Sequence, residues 1–312
     1  MLTFKKLINK PKKLKQFSSL SLDQFILLAE KLLPLWKESE KHRLARPTRK
    51  RDVGAGRRYK LTTIEDKLLL ILMHYRFYTT SDLLGLVFNI DASNVSRLVT
   101  KIRPLLEQAA DPQLKGYLQV ASKNRKKIST WREFVDQYPD LAEVITDATE
   151  QQVRRPKGKR KQKRQYSGKK KRHTIKTQLT VSPVGKILDV SKSYPGKVHD
   201  KKMIDTEKTV DKIPKESKHF LDKGYDGLPN DHPDHDIRIP YKRRRNKPEL
   251  SRGEKQANTI RSKHRIIGEN VIAKLKKYQI LVQVYRSNLD NYNQTFRNIS
   301  AITNFRLATA NI

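Results

Sequence analysis

Apolar residues recur every three or four positions through the first third of the chain, then close to every second position from Leu141, and at helical spacing again near the C-terminus. The first pattern predicts amphipathic helices and the second predicts strands. Ser21–Glu40 carries Phe25, Leu28, Leu32, Leu35 and Trp36 at helical spacing. Ser21 and Gln24 form a capping-box pattern there, and Pro34 predicts a kink. That face suits packing or dimerisation. Between Leu61 and Ile102 the pattern predicts three helices. Thr62 and Glu65 mark the start of the first, with Ile64, Leu68, Ile71, Leu72 and Tyr75 inside. Thr79–Phe88 is a short second helix, Asn89–Asp91 a turn, and Ala92–Ile102 a third helix with Val95, Leu98, Val99 and Ile102 on one face. Ser93, Ser96, Arg97 and Thr100 lie away from that face. Two short helices across a tight turn, the second offering small polar residues and an arginine, suit a helix-turn-helix that reads DNA through those four residues. An ordinary three-helix bundle shares the pattern.

Pro104, Pro112 and Gly116 break up the next segment, and Thr130–Gln137 predicts a short helix. Strands come after it. Leu141–Asp147 is an apolar run ending in an acid. His173–Val181 alternates, and Gly185–Ser193 reads as its hairpin partner across the turn at Ser182–Gly185. A helix begins at His199. Lys218–Asp222 is a fourth strand, again ending in an acid, and Asp236–Tyr241 is a fifth. A long helix over Ile260–Leu281 closes the series. On it Arg265, Glu269 and Lys276 share a stripe about 40° wide, while Ile267, Val271, Leu275 and Tyr278 lie on the far side.

Charge adds the partner. The 312 residues hold 68 Lys plus Arg against 32 Asp plus Glu, a net +36. Such an excess calls for a polyanion, because neutralising phosphates releases counterions. Nucleic acid leads, and an anionic membrane surface is the weaker alternative. The basic residues cluster. Arg154–Arg172 includes Arg154, Arg155, Lys170, Lys171 and Arg172, and Lys242–Lys247 includes Arg243 and Arg244; both suit DNA-backbone contact. Lys41–Lys60 reads as a solvated linker or a basic arm. No run of about 18 apolar residues predicts a membrane span. The N-terminus lacks the apolar stretch of a secretory signal, and no cysteine is present. These features point to a cytoplasmic, nucleoid-associated protein.

Asp147 and Asp222 each fall at a predicted strand end, where side chains of an α/β sheet face a crevice. Glu269 can meet them from a helix packed on the sheet. Three converging carboxylates suit Mg²⁺ or Mn²⁺. Two such ions can clamp the attacking and leaving oxygens of a phosphodiester displacement. Asp226 competes with Asp222 for the second place. DHPDHD at Asp231–Asp236 reads as a solvated turn rather than a ligand set, and His199-Asp200 as a helix start.

Several blocks together carry a resemblance: GAGRRYKLTTIEDKLLLILMHYR, ITDATEQQVRRP, YSGKKKRHTIKTQ, SYPGKVHDKKM, FLDKGYDGL and RIIGENVIAKLKKYQIL, in that order. The chain resembles DDE transposases of bacterial insertion sequences, in the branch related to the Harbinger-type endonucleases, from about Lys50 to Leu281. Transposases of this kind often carry Tyr, Arg, Glu and Lys at set spacings around the third acid. Arg265, Glu269 and Lys276 match, and Ser262 stands where the Tyr is expected. The resemblance implies a ribonuclease H-like mixed-sheet α/β domain preceded by an all-α helix-turn-helix domain. It implies catalysis by Asp147, Asp222 and Glu269 with two Mg²⁺ or Mn²⁺ ions, and phosphate contacts from Arg265 and Lys276. The expected division is a helical segment over 1–45, a basic arm plus helix-turn-helix over 46–110, and a catalytic domain over 111–312. The expected function is transposition: binding double-stranded DNA at the element's ends and at the target, cutting, and strand transfer, by at least a dimer. A DNA-binding derivative without chemistry and a nuclease without strand transfer are the rival readings.

Overall fold

A computed structural model describes residues 1–45, 48, 59–243 and 249–310 of the chain. Most of the basic arm, together with Arg244 and the rest of 244–248, lies outside the described residues. The described residues form two units. The first comprises Met1–Pro112, Lys277–Gln283 and Gln294–Ile312, and the second Gln113–Lys276 and Val284–Asn293. Two C-terminal segments thus belong with the N-terminal unit, a pairing absent from the linear division read from the sequence.

The first unit is all helix. Its helices are α1 (Phe4–Leu7), α2 (Pro11–Ser18), α3 (Leu22–Leu44), α4 (Ile64–Phe77), α5 (Ser81–Phe88) and α6 (Ala92–Ala110), with most of the C-terminal helix Tyr292–Ala308. Ser21 closes the expected capping box with Gln24 at the start of α3. The apolar face of α3, with Phe25, Leu28, Leu32 and Trp36, is buried within its own unit against α4 and α6. The expected dimer surface is therefore taken up by intrachain packing. α4 is apolar around most of its circumference, as a central helix must be; Leu68 to Leu72 and Tyr75 are all fully buried. Its N-cap is Thr63, whose hydroxyl accepts from the Asp66 N–H, and not Thr62.

α5 and α6 meet across a tight turn. Asn89 takes the left-handed conformation that ends α5. A Cβ on Gly85 would lie 2.5 Å from the Ile90 carbonyl oxygen, so only glycine allows the chain to double back this closely. Val95, Leu98, Val99 and Ile102 are buried on α6, and Ser93, Ser96, Arg97 and Thr100 are exposed. α6 runs on through Pro104, where the sequence suggested a break, and α3 likewise runs through Pro34.

The second unit is a mixed α/β layer structure. It contains α7 (Tyr117–Arg125), α8 (Trp131–Gln137), β1 (Glu143–Gln152), α9 (Lys159–Gln165), β2 (Tyr166–Ser167), β3 (Arg172–Val181), β4 (Ile187–Pro195), α10 (Asp200–Glu207), β5 (Lys218–Leu221), α11 (Leu228–Asp231), β6 (Ile237–Arg238) and α12 (Arg252–Leu275). The C-terminal helix is α13. The sheet runs β2-β3-β1-β5-β6, with β4 also paired to β3. β1, β3 and β4 are antiparallel, while β1, β5 and β6 are parallel. Gly185, at φ 83°, makes the hairpin turn into β4.

Side chains alternate across the sheet. One face of β1 and β5 presents Ile145, Asp147, Phe220 and Asp222. α12 covers it, with the His264 ring stacked 4.0 Å from that of Phe220. Val144 on the other face joins a core with Leu118, Phe134 and Leu188. Thr146 on that same face hydrogen-bonds Thr180 Oγ1 and His219 Nε2, each at 2.8 Å. Burial pushes the His219 imidazole down to about 3, so it sits in this network neutral.

Several boundaries differ from expectation: the fifth strand, read as Asp236–Tyr241, is Ile237–Arg238, the hairpin partner, read as Gly185–Ser193, is Ile187–Pro195, and two more bear on the site. β1 continues five residues beyond Asp147, because β3 extends alongside it as far as Thr174. α12 starts at Ser251, which forms a capping box with Glu254, and ends at Leu275; Tyr278 and Leu281 come after the helix.

In the first unit, Arg297 clamps Glu107 through Nε at 3.0 Å and Nη2 at 2.5 Å, and Gln294 adds a third donor. Both charges are largely buried, so removing one partner strands the other. Arg297→Met is expected to cost about 3–5 kcal/mol. Urea unfolding followed at Trp36 in a Trp131→Phe background measures it, and the further change Glu107→Leu is expected to recover most of the loss.

Candidate active site

The register of the parallel pair sets two of the three acids side by side. Thr146 pairs with Leu221 as the last rung between β1 and β5. The next residues are Asp147 and Asp222, on strands about 4.8 Å apart. Asp222 leaves the sheet and caps the short turn Lys223–Tyr225, its Oδ1 accepting the Lys223 N–H at 2.6 Å. Beyond that rung β1 keeps only β3 as a ladder partner among the described residues, so its other edge is open from Asp147 until Gln152, whose carbonyl accepts the Tyr285 N–H at 2.9 Å. Asp147 thus lies in mid-strand and not at a strand end, and the crevice forms because β5 stops beside it.

α12 brings the third acid. At Gly268 the helix meets β1 without a side chain between them. A Cβ there would stand 3.2 Å from Ile145 Cγ2 and 3.7 Å from Asp147 Cβ. Glycine inside a helix costs about 1 kcal/mol relative to alanine. Here it permits the close approach that places Glu269 on the same cavity as Asp147.

The electrostatics follow from that crowding. Arg265, one turn before Glu269, bridges two of the acids. Its Nη1 lies 3.3 Å from Asp222 Oδ1 and its Nη2 3.2 Å from Glu269 Oε1. The guanidinium expected on phosphate is on carboxylates in this structure. Among the described residues Asp147 has no such partner; it accepts the Ala148 N–H, at 2.7 Å. Burial raises its carboxyl to about 6; the neighbouring Asp222 and Glu269 carboxylates add to that, while the Ala148 N–H and Arg265 oppose it.

A cavity of about 370 Å³ opens over Asp147 and Glu269. Lys169, Lys170, Lys176 and Lys276 line it, together with Glu150 and Asp200. Lys176 is held from two sides: its Nζ donates at 3.0 Å to Asp200 Oδ1 and at 3.0 Å to the Val198 carbonyl. The loop carrying Asp200 is pinned at Gly196, where a Cβ would fall 1.9 Å from Thr174 Oγ1. Asp200 also reaches the second acid's turn, since a Cβ on Gly224 would lie 3.5 Å from Asp200 Oδ2.

Among the described residues no three Asp, Glu or His side chains stand close enough to hold a metal ion as they are placed. The donor set nevertheless fits Mg²⁺ or Mn²⁺ in kind. It is all carboxylate oxygen, and a cation, the Arg265 guanidinium, already bridges two of its members. Asp147, Asp222 and Glu269 would be the residues to hold such an ion.

The other expected residues separate. Asp226 is exposed and lines a different cavity, with Tyr241 and Glu254. In the DHPDHD loop, Asp231, Asp234 and Asp236 pair with Lys201, Lys215 and Arg238. Lys170 and Lys276 reach the cavity, whereas Arg155 lines a neighbouring one with Tyr166. Arg154 is exposed, Lys171 forms the turn into β3 at φ 52°, and Arg172 donates to Gln152 at 2.7 Å. Arg243 lies 3.7 Å from Glu249. Arg244 lies outside the described residues, and Ser262 is exposed on α12. Lys176, Glu150 and Asp200 escaped the sequence reading. Asp200 is the acid of SYPGKVHDKKM, and its place in that block was the available signal.

The raised Asp147 carboxyl fixes a pH dependence. Between about pH 4 and pH 6 the folded chain holds a proton that the unfolded chain has released, so stability falls as pH rises through that window and levels off above it. Asp147→Asn is expected to abolish the slope and to stabilise the second unit at pH 8 by up to about 3 kcal/mol. Urea unfolding at pH 5 and pH 8, followed at Trp131 in a Trp36→Phe background, measures both. An unchanged slope in the variant contradicts the assignment.

Residues 146–304 match the DDE superfamily endonuclease family, and residues 59–112 match the helix-turn-helix of DDE superfamily endonuclease. A probable transposase for insertion sequence element IS702 from Microchaete diplosiphon is 30% identical over 253 residues, which are 81% of this chain and 84% of that protein. No solved structure matches the chain. No described helix is long and apolar enough to cross a membrane. An open-edged acidic cleft in a mixed sheet, in a chain that carries a helix-turn-helix, agrees with these matches, and the chain belongs to the DDE superfamily endonucleases as a transposase of the DDE type.

Proposed function

We propose that this protein cuts DNA at the ends of an insertion sequence and joins the freed 3′-hydroxyl to target DNA. The observation that carries the reading is that Asp147 and Glu269 line one lysine-rimmed cavity, while Asp222 follows the last β5 rung beside Asp147 and shares Arg265 with Glu269. On this reading the sheet is a ribonuclease H-like one. Asp147 contributes from the middle of β1, Asp222 from just past β5, and Glu269 from α12. Two Mg²⁺ or Mn²⁺ ions, when bound, supply Lewis-acid activation of the attacking oxygen and stabilise the leaving one.

The chain's own residues bind and orient the DNA. Lys169, Lys170 and Lys276 hold phosphate oxygens at the mouth of the cavity, and Lys176 does so deeper inside. Asp200 positions Lys176 by fixing one of its three N–H donors. Arg265 neutralises Asp222 and Glu269 until ions and DNA arrive, and then turns to the phosphate beside the cut. Arg154, Arg155, Lys171, Arg172 and Arg243 track the backbone. Ser93, Ser96, Arg97 and Thr100 read base edges in the element's terminal repeats. Joining two ends calls for at least a dimer.

Purified protein with a DNA end of its own element is expected to cut only with Mg²⁺ or Mn²⁺ present. Asp222→Asn and Glu269→Gln are expected to reduce cutting to background while leaving DNA binding intact, and Lys176→Met to slow it by roughly 10²-fold. Retained cutting in either acid variant sinks the site assignment. A pre-cut end that is never joined to target DNA leaves a nuclease without strand transfer.

Arg97→Ala tests the reading helix separately. It is expected to weaken binding to the element's end by about 1–3 kcal/mol while leaving unrelated DNA unaffected. Competition gel shifts at fixed salt measure the difference, and equal loss on both DNAs reduces Arg97 to a backbone contact.

A further inference from the structure

Beside the catalytic cavity lies a second one, of about 810 Å³, lined by Arg155, Lys159, Lys163, Lys197, Tyr166 and His173 among others. We propose that it binds an unpaired nucleotide of the DNA, with Tyr166 stacking on the base and the cations holding the flanking phosphates.

Charge comes first. The segment 154–172 carries twelve Lys and Arg and no acid in 19 residues. α9, inside it, has no buried residue, so no apolar packing holds it in place. Its own charges oppose it. Lys159 and Lys163, and Arg160 and Arg164, are like pairs one turn apart, an arrangement that destabilises a helix. A polyanion laid across this helix removes the repulsion.

The aromatic surface narrows the ligand. Tyr166 is 44% exposed, although it sits in a paired strand opposite His173. The His173 ring meets it edge to face, at 5.8 Å between centroids, and so leaves a tyrosine face open to the cavity. Paired DNA turns its phosphates outward and hides the faces of its bases, so a rim of cations alone suffices for a duplex. An open ring among cations matches the stacking platforms of single-strand binding sites. The pocket is also tolerant of base identity. The amide of Gln162 is used up within the chain, its Oε1 accepting from Arg155 and its Nε2 donating to the Pro156 carbonyl.

Position ties the pocket to the cut. His173 lines this cavity and Lys176 lines the catalytic one, three residues along β3. That is about 10 Å along the strand, with the two side chains leaving it on opposite faces. The segment Tyr166 to Lys170 borders both cavities. The unpaired nucleotide therefore lies near the cleaved phosphodiester. This inference takes the DNA partner from the proposed function and does not depend on cleavage.

The test is binding by the full chain in EDTA, so that no cutting is needed. The probes are a duplex with a three-nucleotide unpaired stretch containing 2-aminopurine, and the same sequence fully paired. Wild-type protein is expected to favour the unpaired probe at least about fivefold and to quench its fluorescence through stacking. Tyr166→Ala is expected to lose the preference and the quench while binding the paired duplex as before, and Tyr166→Phe to keep both. The double change Lys159→Gln with Lys163→Gln is expected to weaken both probes alike and to flatten the salt dependence. Equal affinity of wild type for the two probes, or equal loss on both in Tyr166→Ala, overturns the proposal. Failure of Mg²⁺-dependent cutting while the preference persists counts against the proposed function alone.

Discussion

The geometry of the candidate site depends on one close approach, the seating of α12 on β1 at Gly268. Packed layers of secondary structure normally stand roughly 8–10 Å apart because side chains fill the gap; here one of those side chains is absent at the point of contact. The gain is position. Ile145 and Asp147 share the face beneath the helix, and Phe220 and Asp222 continue it on the neighbouring strand. His264 stacked on Phe220 fixes the helix along its length a turn before Gly268. With those contacts set, Glu269 has one place to go, and Arg265, one turn earlier, falls between Glu269 and Asp222.

The charge arrangement around that contact inverts the character of the chain. A molecule with a net +36 concentrates carboxylates at one cleft. Asp147 bears the cost, since its half-buried side chain has no ion pair among the described residues. A protein selected for stability alone would place asparagine or an apolar residue there. The surrounding ammonium groups do not relieve that cost by direct pairing, for the one most tightly held, Lys176, is bonded to Asp200 and a carbonyl. The cleft keeps its negative centre and its positive rim apart, as a site must if it is to hold cations inside and a phosphate chain across its mouth.

Much of this was legible in the sequence, because local chemistry dictates it. The hairpin at Ser182–Gly185, the capping box at Ser21 and the buried face of Val95, Leu98, Val99 and Ile102 all follow from short-range pattern. The three acids could be nominated since each occupies a block of its own. Their surroundings were less legible, because they depend on long-range pairing. Asp147 looked terminal, as the apolar run ends there, yet β3 holds the strand for five more residues whose alternation is polar. Pro34 suggested a kink and Pro104 a break, but each loses only one helical bond, and burial of Leu32 and Trp36 around the first and of Ile102 and Leu106 around the second outweighs it. Asp200 read as a mere helix start because its value lies in Lys176, 24 residues away along the chain. The membership of Lys277–Gln283 in the first unit has no local signature at all.

The excursion between β1 and β3 shows how a loop enters a site without disturbing it. β1 and β3 pair from Ile145 with Val181 at one end to Gln152 with Thr174 at the other, so the inserted residues hang from the far end of a continuous ladder. Their charge cannot distort the acids, because the ladder fixes Asp147 before the insertion begins. The ladder also sets a distance. Residues on β3 are spaced by strand geometry, so the cavity at His173 and the cavity at Lys176 keep a fixed separation. A flexible basic tail could supply the same charge, but not that spacing. The spacing explains why so cationic a segment is anchored by a strand pair, Tyr166 with His173, instead of being left as an arm.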